Sequence, residues 1–238
     1  MSIFGNANQE RPIVLSIGGS LLVPGGVDTE FLSKLNTFIR KHVREGKRFF
    51  LVIGGGRLAR TYRDAGKEVV GSMTMDDLDW LGIHATRLNA HLVRTIFQDI
   101  AHPRIIENYD HKLSDAKESV VIGAGWKPGW STDYCAVVLA HEYGGKLLVN
   151  MSNVDWIYDC DPKKFKDAKI LKEITWAKLP AIVGTTWTPG LNAPFDPIAG
   201  QLAAKHELTV IVANGSNFAN LEKIVTGQDG FDGTVIHP

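Results

Sequence analysis

Gly123-Ala-Gly-Trp-Lys-Pro-Gly-Trp-Ser-Thr-Asp133 lies between the apolar run Ser119-Val-Val-Ile122 and the apolar-rich Tyr134-Cys-Ala-Val-Val-Leu-Ala-His-Glu-Tyr143. The first run reads as a buried strand, and Ser131-Thr132-Asp133 as the opening of a helix. A strand, a glycine-broken loop and a helix N-terminus together form a cradle for an anion. The first backbone N–H groups of a helix lack intrahelical partners, and the helix dipole favours negative charge there. Trp126 and Trp130 flank Lys127-Pro-Gly129 and offer flat surfaces to a base, with the Asp133 carboxylate beside them. The same stretch also reads as a structural turn whose tryptophans cover the core.

Outward from this loop, strands and helices alternate. Arg11-Pro-Ile-Val-Leu-Ser-Ile17 is a strand with Pro12 near its start, where proline is tolerated. Thr29 to Glu45 carries Phe31, Leu32, Leu35, Phe38, Ile39 and Val43 at the spacing of one helix face. Arg48-Phe-Phe-Leu-Val-Ile53 is apolar enough for a strand covered on both sides. Arg57 to Arg63 is helical, and a long helix is expected from about Asp76 to Ile100, with Leu78, Leu81, Ala85, Leu88, Leu92, Ile96 and Ile100 as its inner stripe. Further strands are expected at Arg104-Ile-Ile106, Lys146 to Met151, Leu208 to Ala213 and Gly233 to Ile236. Val154 to Tyr158 leaves the sheet for a lysine-rich loop, Lys163 to Lys169. Helices follow near Thr175 to Val183, from Asp196, and near Asn217 to Val225, with a crossing at Gly184 to Gly190. The alternation predicts an α/β fold: a mostly parallel central sheet with helices on both faces.

Parallel sheets place their working loops at the carboxyl ends of strands. Three such loops here are glycine-rich: Gly18-Gly19-Ser20, Gly54-Gly55-Gly56, and Gly123 to Gly129. One glycine turn means little. Three at one end of a sheet point to phosphate groups approaching the backbone. Neither G-x-x-x-x-G-K-[ST] nor G-x-G-x-x-G occurs, which argues against a P-loop and a Rossmann dinucleotide site.

The 238-residue chain has a formal net charge of zero, with 44% hydrophobic and 22% charged residues. No electrostatic footprint for a nucleic acid polymer or an acidic membrane is present. Two cysteines, Cys135 and Cys160, suit a reducing compartment and give no metal-ligand spacing. No apolar run approaches the roughly 20 residues that span a bilayer. Residues 1–10 lack the basic and apolar regions of a signal peptide. A cytoplasmic protein is expected.

These residues, in this order, resemble the amino acid kinase superfamily, and within it the uridylate (UMP) kinases of the archaeal type. The matching pieces are Ile17-Gly-Gly-Ser20, Gly54-Gly-Gly-Arg-Leu-Ala-Arg60, Asp79-Trp-Leu-Gly-Ile-His-Ala-Thr-Arg-Leu-Asn-Ala90, Pro128-Gly-Trp-Ser-Thr-Asp133, Asn153-Val-Asp-Trp-Ile-Tyr158 with Asp161-Pro162, and Asp196-Pro-Ile-Ala199. The resemblance implies one α/β/α domain over 1–238, with an acceptor-binding part at about 12–150 and an ATP-binding part at about 151–238. It implies transfer of the γ-phosphoryl of ATP to UMP, giving UDP and ADP for pyrimidine nucleotide synthesis, with Mg²⁺ and a homo-hexamer built as a trimer of dimers.

Carried over residue by residue, Gly19, Ser20, Gly56, Arg60, Ser152, Asn153, Tyr158 and Asp161 are implied for ATP. Gly55, Asp79, Trp126, Lys127, Pro128, Gly129, Trp130, Ser131 and Thr132 are implied for UMP. Asp133, Arg60 and Lys127 are the candidate catalytic residues, and no protein metal ligand is implied. Plainer readings stand beside these. Arg60 and Asp79 also read as ordinary helix charges, Tyr158 as a half-buried strand aromatic, and Asp196 as an N-cap.

Ser16 stands where many relatives carry a lysine that neutralises the transferred phosphoryl, and Lys127, Arg57 or Arg60 is a candidate replacement. Trp156 stands where relatives carry glycine. A sister kinase with another phosphate or carboxylate acceptor is the second reading, and a nucleotide- or oxyanion-binding homologue without catalysis the third.

Overall fold

The computed structural model describes residues 11–238 apart from 115, 146, 163, 187 and 189–192. Residues 1–10, Lys146, Lys163 and part of the expected crossing at Gly184 to Gly190 therefore lie outside the described residues. In chain order the strands are β1 (Ile13–Ile17), β2 (Phe49–Ile53), β3 (Val120–Gly123), β4 (Leu147–Ser152), β5 (Ile157–Tyr158), β6 (Ile170–Leu171), β7 (Glu173–Thr175), β8 (Thr209–Asn214) and β9 (Thr234–His237). The helices are α1 (Gly19–Leu22), α2 (Thr29–Arg44), α3 (Gly56–Val70), α4 (Met75–Ile96), α5 (Thr132–Glu142), α6 (Leu179–Val183), α7 (Pro197–Lys205) and α8 (Phe218–Thr226).

Seven strands form one sheet in the order β3-β2-β1-β4-β8-β9-β7, and β5 pairs with β6 outside it. Pairing is parallel except between β8 and β9. The chain runs outward from β1 to β2 and β3, then returns to β4 on the other side of β1. The strand order therefore reverses between β1 and β4, the place where open α/β sheets bind ligands.

Alternation along each strand sends side chains to opposite faces. Leu15, Ile17, Leu51, Ile53, Val149 and Met151 enter one core with α2, α4 and α8. Val14, Phe50, Val52, Leu148 and Val210 enter a second core with α5 and α7. Both faces are covered, so the fold is an α/β/α sandwich.

Ser16 and Asn150 sit in register on β1 and β4. By the same alternation both point to the α5 face, amid an otherwise apolar layer. That placement builds part of the site.

Three local expectations are corrected. Arg104-Ile-Ile106 is not a strand but contributes an isolated bridge, Ile106 to Gly123, beside another from Ala101 to Val120. Pro103 interrupts the segment and cannot donate to a ladder. Glu173–Thr175 is a strand instead of a helix start, and α6 begins only at Leu179, with Pro180 in its first turn. The inner stripe of α4 is Leu78, Asp79, Gly82, Ile83, Ala85, Thr86, Asn89, Ala90 and Val93, while Leu88 is 63% exposed. Leu78 and Ala85 of the expected stripe are buried and Leu92, Ile96 and Ile100 pack against the core, but the helix is rotated enough to turn Leu88 out and Asp79, Gly82, Thr86 and Asn89 in.

Candidate active site

The glycine loops after β1 and β2 are folded into each other. A Cβ on Gly19 would collide with the Gly56 nitrogen and the Gly54 carbonyl, and one on Gly56 with the Gly19 carbonyl. Gly56 also has φ +62, a conformation that glycine adopts without penalty. Arg57 N donates to Val23 O at 3.0 Å and Gly54 N to Ile17 O at 3.0 Å, fixing the two loops together. Asn89 of α4 is buried and donates from Nδ2 to Gly54 O at 2.9 Å and to Gly55 O at 3.2 Å.

Beside these loops opens a cleft of about 480 Å³. Its lining includes Gly19, Gly55, Gly56, Arg60, Asp79, Trp130, Ser131 and Thr132 of the residues singled out from sequence, together with Arg63, Gly82 and Thr86. Among the described helices of eight or more residues, α2, α4, α5, α7 and α8 have side-chain caps, while α3 has none. No side chain caps the first turn of α3, whose Gly56 and Arg60 line this cleft, so the positive end of the helix dipole faces it and suits an anionic ligand.

Asp79 is buried and its Oδ2 accepts from Gly129 N at 2.8 Å. Burial raises its pKa, opposed by that N–H and by Arg63. The carboxylate thereby ties the long helix to the loop 123–133. Thr86 adds a second tie, accepting from Gly125 N at 2.7 Å. Arg87 adds a third, donating to Trp126 O at 3.0 Å. Trp126 lies between Tyr109 and Trp130, tilted against the first and stacked on the second, and Trp130 packs on Tyr134 with ring centroids 4.0 Å apart.

Lys127 departs from its expected place. Its Nζ lies 3.7 Å from Asp110 and 3.9 Å from the Trp126 ring centroid, outside the cleft lining. Pro128 is half-buried beside it, and Gly129 turns at φ +88. Lys127→Ala is accordingly expected to change turnover by less than about threefold, since an exposed ion pair contributes little. A larger fall in steady-state kcat would put the ammonium back at the reacting groups.

Asp133 occupies the first turn of α5, directly after Ser131 and Thr132 of the cleft lining, and is half-buried. Its Oδ1 accepts from Ser16 Oγ at 3.0 Å and Asn150 Nδ2 at 3.3 Å, and its Oδ2 from Asp196 N at 3.3 Å. Ser131 caps α5 by accepting from Tyr134 N, and its own hydroxyl donates to Asp196 Oδ2. Asp196 in turn caps α7, accepting from Ile198 N at 2.7 Å. Burial, then the neighbouring Asp196 charge, pushes the Asp133 pKa up to about 6. Burial raises Asp196 as well. At position 16 the site thus has a hydroxyl donor where a cation was the alternative.

Ser20, Ser152, Asn153, Tyr158 and Asp161 fall outside the cleft lining, on α1 and along the connection from β4 through β5. Ser152 Oγ approaches Asn153 Oδ1 at 3.5 Å. Trp156 is half-buried, with Lys172 Nζ 5.9 Å from its ring centroid.

Arg63, Thr86, Asn89 and Asn150 were not singled out from sequence. Arg63 follows Arg60 by three residues on one helix face, and Asp79, Thr86 and Asn89 mark polar positions on a buried helical stripe. Both spacings were available as signals.

Residues 11–214 match the amino acid kinase family. The chain belongs to that family. This amino acid kinase is 33% identical over 229 residues to the uridylate kinase of Pyrococcus abyssi, covering 95% of its own length and 99% of the relative's. It is 34% identical to that of Sulfurisphaera tokodaii, with the same coverage. Among solved structures it is similar to the uridylate kinase of Archaeoglobus fulgidus, with a TM-score of 0.80, 30% identity, and coverage of 94% of this chain and 99% of the other. A UMP kinase from Ureaplasma parvum, at 21% identity, shares the fold with a TM-score of 0.75.

Proposed function

We propose that this kinase transfers the γ-phosphoryl of ATP to UMP. An oxygen of the UMP phosphate attacks the γ-phosphorus, the bond from that phosphorus to the β–γ bridging oxygen breaks, and UDP and ADP are the products. The observation that carries the reading is the cleft itself. It joins an uncapped helix N-terminus, two arginines, a buried carboxylate at Asp79 and the aromatic loop, and it does so in a chain whose relatives over nearly full length are uridylate kinases.

In this reading the Gly55 backbone faces the acceptor phosphate, Gly56 and Arg60 lie on the ATP side near the transferred phosphoryl, Asp79 faces the ribose, and the loop 126–132 encloses the base. Gly19, Ser20, Gly56, Arg60, Ser152, Asn153, Tyr158 and Asp161 form the donor side; apart from these glycine-loop residues and Arg60, the acceptor part covers about 12–150 and the ATP part about 151–238. Phosphoryl transfer depends chiefly on positioning and electrostatic stabilisation. Asp133 supplies a charge held near the carboxyl ends of β1 and β4 by Ser16 and Asn150.

Among the described residues no three His, Cys, Asp or Glu side chains converge. Every oxygen of Asp133 and Asp196 already accepts a protein hydrogen bond. This donor set suits Mg²⁺ held mainly by nucleotide phosphate oxygens, where it would neutralise their charge.

Tyr62, Val69, Val70, Met75, Trp80 and Leu88 on α3 and α4 are exposed apolar side chains. They support self-association through this face, consistent with a dimer unit inside a hexamer. No helix among the described residues is long and apolar enough to cross a membrane. A cytoplasmic location is part of the same proposal.

ADP release from MgATP, measured with UMP, CMP, dCMP, AMP and small carboxylic acids as acceptors, tests the function. Turnover with UMP and little with the others is expected. Turnover with another acceptor alone would move the substrate, and UMP binding without turnover would favour a non-catalytic homologue.

A further inference from the structure

We propose that Arg63 grips the acceptor phosphate beside the Gly55 backbone and selects a phosphomonoester, and that Gly82 makes room for it. The inference rests on the acceptor reading above. Arg63 lies three residues beyond Arg60 on α3, and both side chains line the cleft. Its Nε donates to Leu78 O of α4 at 2.7 Å, which fixes the plane of the guanidinium. Among the described residues no acceptor holds its two Nη groups, leaving the outer edge of the fork for a ligand.

Gly82 explains how that edge reaches the phosphate loop. A Cβ at this position would collide with the Arg63 guanidinium. The carbonyl of the same glycine lies 3.3 Å from where a Gly55 Cβ would be. The guanidinium and the Gly55 backbone therefore meet at one residue, on the side of the cleft assigned to the acceptor phosphate.

Charge arithmetic points the same way. Among the lining residues, Arg60 and Arg63 are the cations and Asp79 the anion. With one arginine the lining would be neutral, and with both it carries a net charge of about +1 toward a ligand that brings −1.5 to −2. Ser16 adds no cation. A planar fork with paired donors also suits phosphate oxygens better than a lysine does.

The test compares the binding of UMP and uridine to the wild type, Arg63→Met, Arg63→Lys and Gly82→Ala by calorimetry, alongside the KM for MgATP. In Arg63→Met the Kd for UMP is expected to rise about 10- to 100-fold, the worth of a charge-assisted hydrogen bond. Uridine affinity should stay within about threefold and the KM for MgATP should hold. Arg63→Lys should recover part of the loss. Gly82→Ala keeps the arginine but displaces its fork, and should reproduce the loss for UMP.

If UMP and uridine weaken together and thermal stability falls, Arg63 is only a prop for α4 through Leu78, and the proposal is overturned. If the wild type binds UMP no better than uridine, the acceptor reading fails. Competition by inorganic phosphate, wild type against Arg63→Met, then decides the arginine separately: equal binding overturns its role, and selective loss sustains it.

Discussion

Asp133→Asn is expected to lower kcat at least about 100-fold, the scale set by removing one preorganised electrostatic group, while the KM for UMP changes less than about threefold. The split follows from position. Asp133 is not part of the acceptor cleft lining, so ground-state binding of UMP does not depend on it. Its carboxylate instead gathers donors from near the carboxyl ends of β1 and β4 and from the start of α7. A steady-state series in UMP and MgATP separates the two parameters, and a variant with full turnover would remove Asp133 from the chemistry.

The same substitution has a stability signature of opposite sign. The folded pKa of Asp133 is raised from 3.8 to about 6, so the native state binds its proton more tightly than the unfolded chain does. Stability from this group is complete below pH 3.8 and declines as pH rises to about 6. Above that, the ionised carboxylate opposes folding by roughly 3 kcal/mol, at about 1.4 kcal/mol per pKa unit.

Asparagine removes the charge but points an NH₂ at groups that now donate, and Ser16 must turn its hydroxyl to accept. A net gain of about 1 to 2 kcal/mol remains, or roughly 2–8 °C in Tm at pH 7.5 for a chain of this size. The gain should vanish near pH 4. A Tm difference that is constant from pH 4 to 8 would show that Asp133 keeps an ordinary carboxylate pKa. For the wild type, kcat should fall as pH drops below about 6 and the carboxylate takes up its proton.

The strands and the helix faces were legible because burial on both sides of a parallel sheet forces apolar runs, and because capped helices announce themselves. Asp28, Ser131, Asp196 and Asn217 all cap where the chain turns into a helix. What escaped was rotation and long-range pairing. The expected stripe of α4 is inside at Leu78 and Ala85 but outside at Leu88, and the helix also turns Asp79, Thr86 and Asn89 inward because hydrogen-bond partners wait there on the loops after β2 and β3. Ser16 stands out in the sequence only as a missing lysine, and Asn150 only as one residue of an apolar strand. Only their register places both donors on one carboxylate. Lys127 was read as a cation facing the site because it lies in the aromatic loop, yet its side chain turns to Asp110 and the face of Trp126. Adjacency in sequence does not fix side-chain direction in a loop.

The glycines carry the most instructive difference between pattern and fold. Three glycine-rich loops suggested close approach of phosphates, and the cleft beside them is consistent with that. Several of these glycines, however, are already required by one another. Gly19→Ala is therefore expected to destabilise the protein by about 3 kcal/mol or more, because every atom its methyl would strike belongs to backbone and has no rotamer to escape into. Gly56→Ala should do at least as much, adding an unfavourable positive φ to the collision with Gly19. Gly25→Ala, whose Cβ meets nothing within 4 Å, should be near neutral and serves as the control. Denaturant unfolding measured together with the KM for both nucleotides separates the two roles. A large loss of stability with weakened binding of both UMP and ATP is expected, since the interlocked turns shape the boundary between the two sides. A Gly19→Ala protein that is fully stable but inactive would show that the loops can part, and that this glycine is needed by the phosphate instead of by its neighbour.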